Sequence, residues 1–163
     1  MSDLLHEVIA LARQAGACYS VLGELERLKD WNEAIEHPRA AGWAYWYARN
    51  VVKGPWPQGE AAILKSLYFS VQYAYKVIGG RFPSCEPLVM KSLWYTFYYA
   101  HDVIRGRWPE AEPIIVRSPE WSYWYARKII CGRWEEAEPI IMKDPRWSQY
   151  YTSDILRVAR YYD

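Results

Sequence analysis

Residues 121–146 read WSYWYARKIICGRWEEAEPIIMKDPR, and the same frame stands at 95–120, 69–94 and 43–68. Tyr47-Ala48, Tyr73-Ala74, Tyr99-Ala100 and Tyr125-Ala126 keep a step of 26 residues, and Tyr151-Thr152 continues it. Gly54, Gly80, Gly106 and Gly132 keep the same step, as do Trp56, Phe82, Trp108 and Trp134, and Glu60, Glu86, Glu112 and Glu138. A fixed period of this size marks a tandem array of supersecondary units, none of which can bury its apolar face alone.

Within the block, Trp121 to Ile130 has helical spacing, with Trp121, Tyr125 and Ile129 four apart on one face. The matching columns hold Trp43, Phe69, Tyr95 and Trp147, then the tyrosines, then Val51, Val77, Val103 and Ile155. They predict a buried seam that stacks unit on unit, with Ala48, Ala74, Ala100 and Ala126 small enough beside it for close approach. Gly132 and its equivalents are expected to end each helix in the left-handed conformation. A phosphate loop is the alternative for a repeated glycine, but no Gly-rich loop or Lys-Ser/Thr pair accompanies these. Pro109 and Pro113 suit first-turn positions, which predicts a brief turn over 108–112 and a stub helix from near Pro113, partly 3₁₀. Ser118-Pro119 and Asp144-Pro145 restart the chain for the next long helix.

Outward from these blocks, 147–163 reads as a half unit. Residues 3–15 carry an apolar stripe of helical period, capped by Ser2 or Asp3 and stopped by Gly16. Residues 18–29 form a second helical pattern, with Leu22, Leu25 and Leu28 on one side. The run Asp30-Trp31-Asn32-Glu33-Ala34 echoes Arg107-Trp108-Pro109-Glu110-Ala111, but the step from Trp31 to Trp56 is 25, so this first unit is degenerate, as terminal repeats are. The expected fold is all-α: a short helical-repeat solenoid of 26-residue units, each one α-helix plus a short α/3₁₀ helix, wound as a superhelix. Residues 1–42 form an N-terminal helical cap with the degenerate repeat, and 43–163 hold four full repeats and a C-terminal half repeat. Neither piece of a unit is long enough to be stable alone, so burial between units must hold it.

The chain has 163 residues, 52% of them apolar, which is enough for one core. Fifteen Tyr and ten Trp bury large areas, but their polar ends require partners, which favours core edges and interfaces. The net charge of +1 implies no strong field. Residues 1–42 carry four Lys/Arg against seven Asp/Glu, and 43–146 fourteen against ten, too small an excess to establish a nucleic-acid surface. Cys18, Cys85 and Cys131 are odd in number and widely spaced, which predicts free thiols in a reducing compartment. The acidic, amphipathic start is unlike a signal peptide, and no run is long enough for a membrane span. A cytoplasmic protein without membrane contact is the expectation.

No residue demands a catalytic reading. Acid–base catalysis needs two carboxylates facing one cleft, whereas Glu60, Glu86, Glu112 and Glu138 recur one per unit. Each precedes a stub-helix N-terminus, where negative charge is favourable, and can meet a neighbouring unit's Arg. His6, His37 and His101 are singletons outside any metal-site spacing and read as surface or helix-flank residues. Cys131 near Arg133 reads as a buried apolar filler rather than a reactive thiol. No nucleophile elbow, phosphate loop, zinc-protease or dinucleotide motif is present. No catalytic, metal or cofactor-binding residue is predicted, and the chain reads as no enzyme.

The positions that break the period are the candidates for binding. One column is Trp46, Gln72, Tyr98, Trp124 and Tyr150; a second is Arg49, Tyr75, His101, Arg127 and Ser153; a third is Asn50, Lys76, Asp102, Lys128 and Asp154. The candidate interaction surface is Trp46, Arg49, Lys76, Tyr98, His101, Trp124, Arg127, Lys128 and Tyr150. Aromatic and Arg side chains anchor protein interfaces, and aromatics with interleaved cations also stack single-stranded bases. Asp102 and Asp154 in the stripe favour a protein partner over nucleic acid. A third use is homo-oligomerisation through the ends of the stack, where Tyr161-Tyr162 is apolar.

The string YAHDVIRGRWPEAEPIIVRSPEWSYWYARKIICGRWEEAEPIIMKDPRW, residues 99–147, resembles the tandem "YAxxVIxGRWPEAEpxI" units of uncharacterised phage proteins and some bacterial genes. The resemblance covers about 43–163 and implies a phage or prophage origin, with a host or phage protein as partner in the host cytoplasm. It implies no catalytic residues. Departures are Pro55 in place of the post-glycine Arg, Gly59-Glu60-Ala61 in place of Ala-Glu-Pro, and Ser84-Cys85-Glu86 in the 69–94 unit.

Overall fold

The computed structural model describes residues 3–157, and the chain divides into two compact units, Met1–Cys85 and Glu86–Asp163. All regular structure among the described residues is helical. The boundary between the units falls inside the repeat 69–94. The expected caps at Ser2 and at the side chain of Asp3 lie outside what is described, as does the Tyr161-Tyr162 end.

The repeats are as read, with one addition. Each long helix opens as α-helix and ends in a wider π turn: Leu67–Tyr73 runs into Ala74–Ile78, Leu93–Tyr98 into Tyr99–Ile104, and Pro119–Tyr125 into Ala126–Ile130. Ala40–Tyr47 with Ala48–Val52, and Pro145–Tyr151 with Thr152–Leu156, follow the same plan. Ser66 and Ser118 cap with a hydroxyl, and Asp144 with a carboxylate accepting from Arg146 and Trp147 N–H.

The end of each long helix corrects the expected glycine cap. Lys53, Arg105 and Cys131 take the left-handed conformation at φ 57°, 59° and 56°, and only in the 69–94 unit is that residue a glycine, Gly79. Gly54, Gly80, Gly106 and Gly132 come one residue later and lie outside the left-handed region. Each donates its N–H to the carbonyl of an alanine six back, at 3.1–3.2 Å: Ala48, Ala74, Ala100 and Ala126. The left-handed residue donates to that same carbonyl. One oxygen thus uses both lone pairs to close the helix. The four alanines are fully buried, as their role in close approach predicts.

After the turn, the chain extends through the buried Trp56, Phe82, Trp108 or Trp134. A stub follows: Pro57–Ile63, Glu86–Val89, Glu112–Ile115 or Glu138–Ile141. It starts at the glutamate, one residue before Pro113. Proline at the second helical position lacks the N–H that would extend the helix backward, so 109–111 remain a turn. In the first full unit Ala61 replaces that proline and the stub runs for seven residues. The 3₁₀ content is confined to Pro83–Cys85. Gly59 is an interior feature rather than a surface one, because a Cβ there would meet the Trp56 ring at 2.2 Å. The same column holds Cys85, Ala111 and Ala137, all fully buried.

The stubs Pro57–Ile63, Glu112–Ile115 and Glu138–Ile141 each pack against the long helices of two successive repeats, Glu86–Val89 packs against Leu93–Tyr98, and Ile63, Val89, Ile115 and Ile141 are their fully buried anchors. The predicted seam is narrower than expected. The tyrosine column is buried, but Trp43, Phe69, Tyr95, Trp121 and Trp147 are half-buried, as are Val51, Val77 and Ile129. The wide turn that begins just after each tyrosine ends the 3.6-residue period and turns the following residues away from the i, i+4 line. The second N-terminal helix is also shorter than its pattern, Tyr19–Leu25, with Leu22 and Leu25 buried and Leu28 half-buried. The first spans Asp3–Gln14, and the degenerate repeat supplies Trp31–Glu36, capped by Asp30.

A test of the cap follows from its geometry. A side chain in the left-handed region costs roughly 1 kcal/mol, so Arg105→Gly is expected to raise stability by about 0.5–1 kcal/mol in urea unfolding. Nothing lies within 4 Å of a Cβ at Gly106, so Gly106→Ala is expected to change stability by less than about 0.5 kcal/mol.

Candidate functional site

The recurring glutamates are tied into the stack. Tyr125 lays its ring 5.0 Å from Trp134 of its own repeat, and its hydroxyl reaches the repeat before. There it accepts the Trp108 N–H at 2.6 Å and donates to Glu112 Oε1 at 3.0 Å. Tyr151 repeats the arrangement with the Trp134 N–H at 2.8 Å and Glu138 at 3.0 Å. Tyr73 does so with the Trp56 N–H at 2.7 Å and Glu60 at 3.0 Å. Tyr99 donates to Glu86 at 3.2 Å. The remaining carboxylate capacity goes to a two-pronged arginine pair: Arg107 on Glu112 at 2.8 and 2.7 Å, and Arg133 on Glu138 at 3.0 and 2.9 Å. The arginine belongs to the glutamate's own repeat, five residues earlier, which corrects the expectation of a neighbour's Arg. The neighbour contributes the tyrosine.

The electrostatics follow from these contacts. The Arg107 and Arg133 guanidinium groups hold Glu112 and Glu138 below the usual carboxylate range. Burial pushes the Tyr73 and Tyr151 phenols up to about 12, and raises Tyr125 as well. A carboxylate held ionised by an arginine and a hydroxyl held neutral by burial form a locked structural node, with no proton to exchange near neutral pH.

A second interior column escaped the sequence reading. Ser70, Thr96 and Ser122 are fully buried, and their hydroxyls donate to the carbonyls of Ile63, Val89 and Ile115 at 3.0–3.2 Å. They tie the end of each stub to the next long helix. Their 26-residue spacing was visible, but a small polar residue among aromatics gave no burial signal.

The period-breaking columns reach the surface at the π turns. Arg49, Lys76, His101, Arg127 and Lys128 are exposed, whereas Trp46, Tyr98 and Trp124 are half-buried and Tyr150 is 45% exposed. Several are not free. Arg127 pairs with Asp154 of the next repeat at 2.5 Å and also donates to the Tyr123 hydroxyl, which itself donates to Asp154 at 2.6 Å. That tyrosine hydrogen bond, with Ser153 and Arg127, depresses the Asp154 carboxyl. His101 contacts Asp102 at 2.6 Å and stacks on Phe97. Arg49 donates to the Tyr45 hydroxyl. Among the described residues, Lys76 and Lys128 are the candidate cations without a partner.

The structure adds aromatics outside the candidate columns. In the C-terminal unit Trp94, which no column contained, is 52% exposed, with its ring 4.2 Å from Tyr98 and 6.1 Å from Trp121 of the expected seam. Trp147 follows, 5.8 Å from Tyr150 and under the Arg146 guanidinium at 4.9 Å. Of the other singletons, His37 stacks on Trp43 at 4.3 Å, and His6 is exposed on the first helix. Cys131 is exposed rather than buried, because its left-handed cap position turns it out of the stack; Cys85 is the buried filler. Among the described residues no group of His, Cys, Asp or Glu is arranged to hold a metal ion, and no helix is long and apolar enough to cross a membrane.

The node predicts a pH profile. The tyrosine contribution is present below an unfolded pKa of about 10 and is lost as pH rises through about 12. The carboxylate contribution is present above about 4.3 and is lost as pH falls through the depressed values of Glu112 and Glu138. Thermal melts are expected to give a plateau between, with Tm falling above pH 10; a Tm unchanged up to pH 12 contradicts the node.

No protein-family model matches this chain, and no match was found among the curated proteins or the solved structures.

Proposed function

We propose that this chain is a non-enzymatic binding module of phage or prophage origin, whose repeat stack presents its long-helix faces to a host or phage protein. The observation that supports this reading is a separation of roles. The columns that keep the period are consumed by caps, stubs and the tyrosine node, whereas the columns that break it reach the surface, with Arg49, Lys76, His101, Arg127 and Lys128 exposed and Trp46, Tyr98 and Trp124 half-buried. Trp94, Tyr98, Trp121 and Trp147 supply rigid aromatic area of the kind that anchors protein interfaces, and Arg146 stacks on the last of them. Binding through a preformed surface saves the ordering entropy that a flexible one loses.

A protein is favoured over a nucleic acid by the state of the cations. Arg127 and Arg49 are engaged within the chain, which leaves Lys76 and Lys128 as the candidate cations without partners. Two lysines give a weak electrostatic footprint for phosphate. Single-stranded nucleic acid remains the second reading, supported by the exposed rings of Trp94 and Tyr150.

Affinity capture from bacterial lysate by the intact chain and by a Trp94→Ala/Lys128→Glu variant of equal Tm separates the readings. Wild type is expected to retain a protein partner that the variant loses, with at least a tenfold weaker Kd once the partner is purified. Recovery of nucleic acid and no protein contradicts the proposal.

A further inference from the structure

The N-terminal unit contains a cavity of about 660 Å³ that none of the foregoing uses. It lies between the first two helices and the first full repeat. The long helix of the first full repeat begins AAGWA, and Ala40, Ala41 and Gly42 line the cavity with backbone and single methyl groups where a larger side chain would intrude.

The lining is aromatic and aliphatic. Trp31, Trp43, Trp46, Tyr47 and Trp56 contribute to the walls, with Val8, Ala12, Val21 and Leu25 from the first two helices. Trp46, a member of the candidate surface, thus also faces this cavity. The exposed lining residues Glu36, Pro38, Arg39 and Lys65 mark the mouth. Both cations there are already matched: Lys65 meets Glu36 at 2.7 Å, and Arg39 meets Glu24 at 2.6 Å. The rim therefore has no surplus charge to recruit an anion or a cation. The volume falls in the range of about 300–1,000 Å³ that holds single small molecules in apolar pockets.

We infer that this cavity is a binding site for one uncharged, ring-bearing apolar small molecule. Flat rings suit walls built from tryptophan faces, and a neutral ligand leaves the two rim ion pairs intact. The site shares Trp46 with the candidate interaction surface and contains none of Trp94, Tyr98, Trp121 and Trp147.

The experiment uses the full chain and N-phenyl-1-naphthylamine, which is uncharged at neutral pH. Saturable one-site binding is expected, with blue-shifted probe emission and quenching of tryptophan fluorescence. Ala41→Leu puts a larger side chain into the lining, and Val21→Phe intrudes from the wall made by the second helix. Each is expected to weaken binding at least tenfold, while Trp94→Ala in the other unit leaves it unchanged. The anionic analogue 8-anilinonaphthalene-1-sulfonate is expected to bind at least tenfold more weakly than the neutral probe. Exposed Cys18 also lines the cavity, so in a Cys131→Ala background its reaction with a maleimide is expected to slow when the probe is bound. The inference is overturned by absence of saturable binding, by binding that survives both filling variants, by an equal loss in Trp94→Ala, or by preference for the sulfonate.

Discussion

One hydroxyl per repeat governs this structure. Tyr73, Tyr125 and Tyr151 each reach back to the preceding repeat, accept the N–H of its tryptophan and donate to its glutamate. The contact joins three things that each need it. The N–H belongs to extended backbone outside any helix, and a buried donor left unpaired costs about 1–3 kcal/mol. The buried hydroxyl needs an acceptor. The glutamate, fixed on its outer side by arginine, needs a donor on its inner side. Because donor and acceptors come from different repeats, satisfying them all requires stacking in one register.

That constraint explains why so many columns are invariant. Tryptophan packs on its own repeat's tyrosine, at 5.1 Å for Tyr99 and Trp108 and 5.0 Å for Tyr125 and Trp134. Alanine allows close approach and lends a carbonyl to the turn. A buried hydroxyl from Ser70, Thr96 or Ser122 ties down the stub. The helices are too short to be stable alone, so this network with the surrounding apolar burial holds the array. It leaves the exposed faces free to vary, and the interaction surface lies there.

Much of the architecture was legible because it repeats. The helix–turn–stub plan, the caps at Ser118 and Asp144 and the structural use of the glutamates followed from spacing and residue chemistry, whereas the buried filler assigned to Cys131 is Cys85. Three features were not. The π turns escaped because the 3.6-residue period was extended through residues that abandon it. The left-handed residue was placed on the repeating glycine, whereas the chain uses Lys53, Arg105 and Cys131, which share no chemistry that marks the position. The Trp121 column was assigned to the interior because aromatic identity alone does not distinguish a core edge from a core centre. The cavity in the N-terminal unit is lined by the small residues Ala40, Ala41 and Gly42, which in sequence look no different from residues that allow close helix approach.

The most direct measurement is a double-mutant cycle between Tyr125→Phe and Glu112→Gln, read by urea unfolding of the full chain. If the hydroxyl and the carboxylate act as one inter-repeat node, the two changes are non-additive, with a coupling energy of about 1 kcal/mol or more. Losses that add to within about 0.3 kcal/mol would contradict the node and return the stack to apolar packing alone.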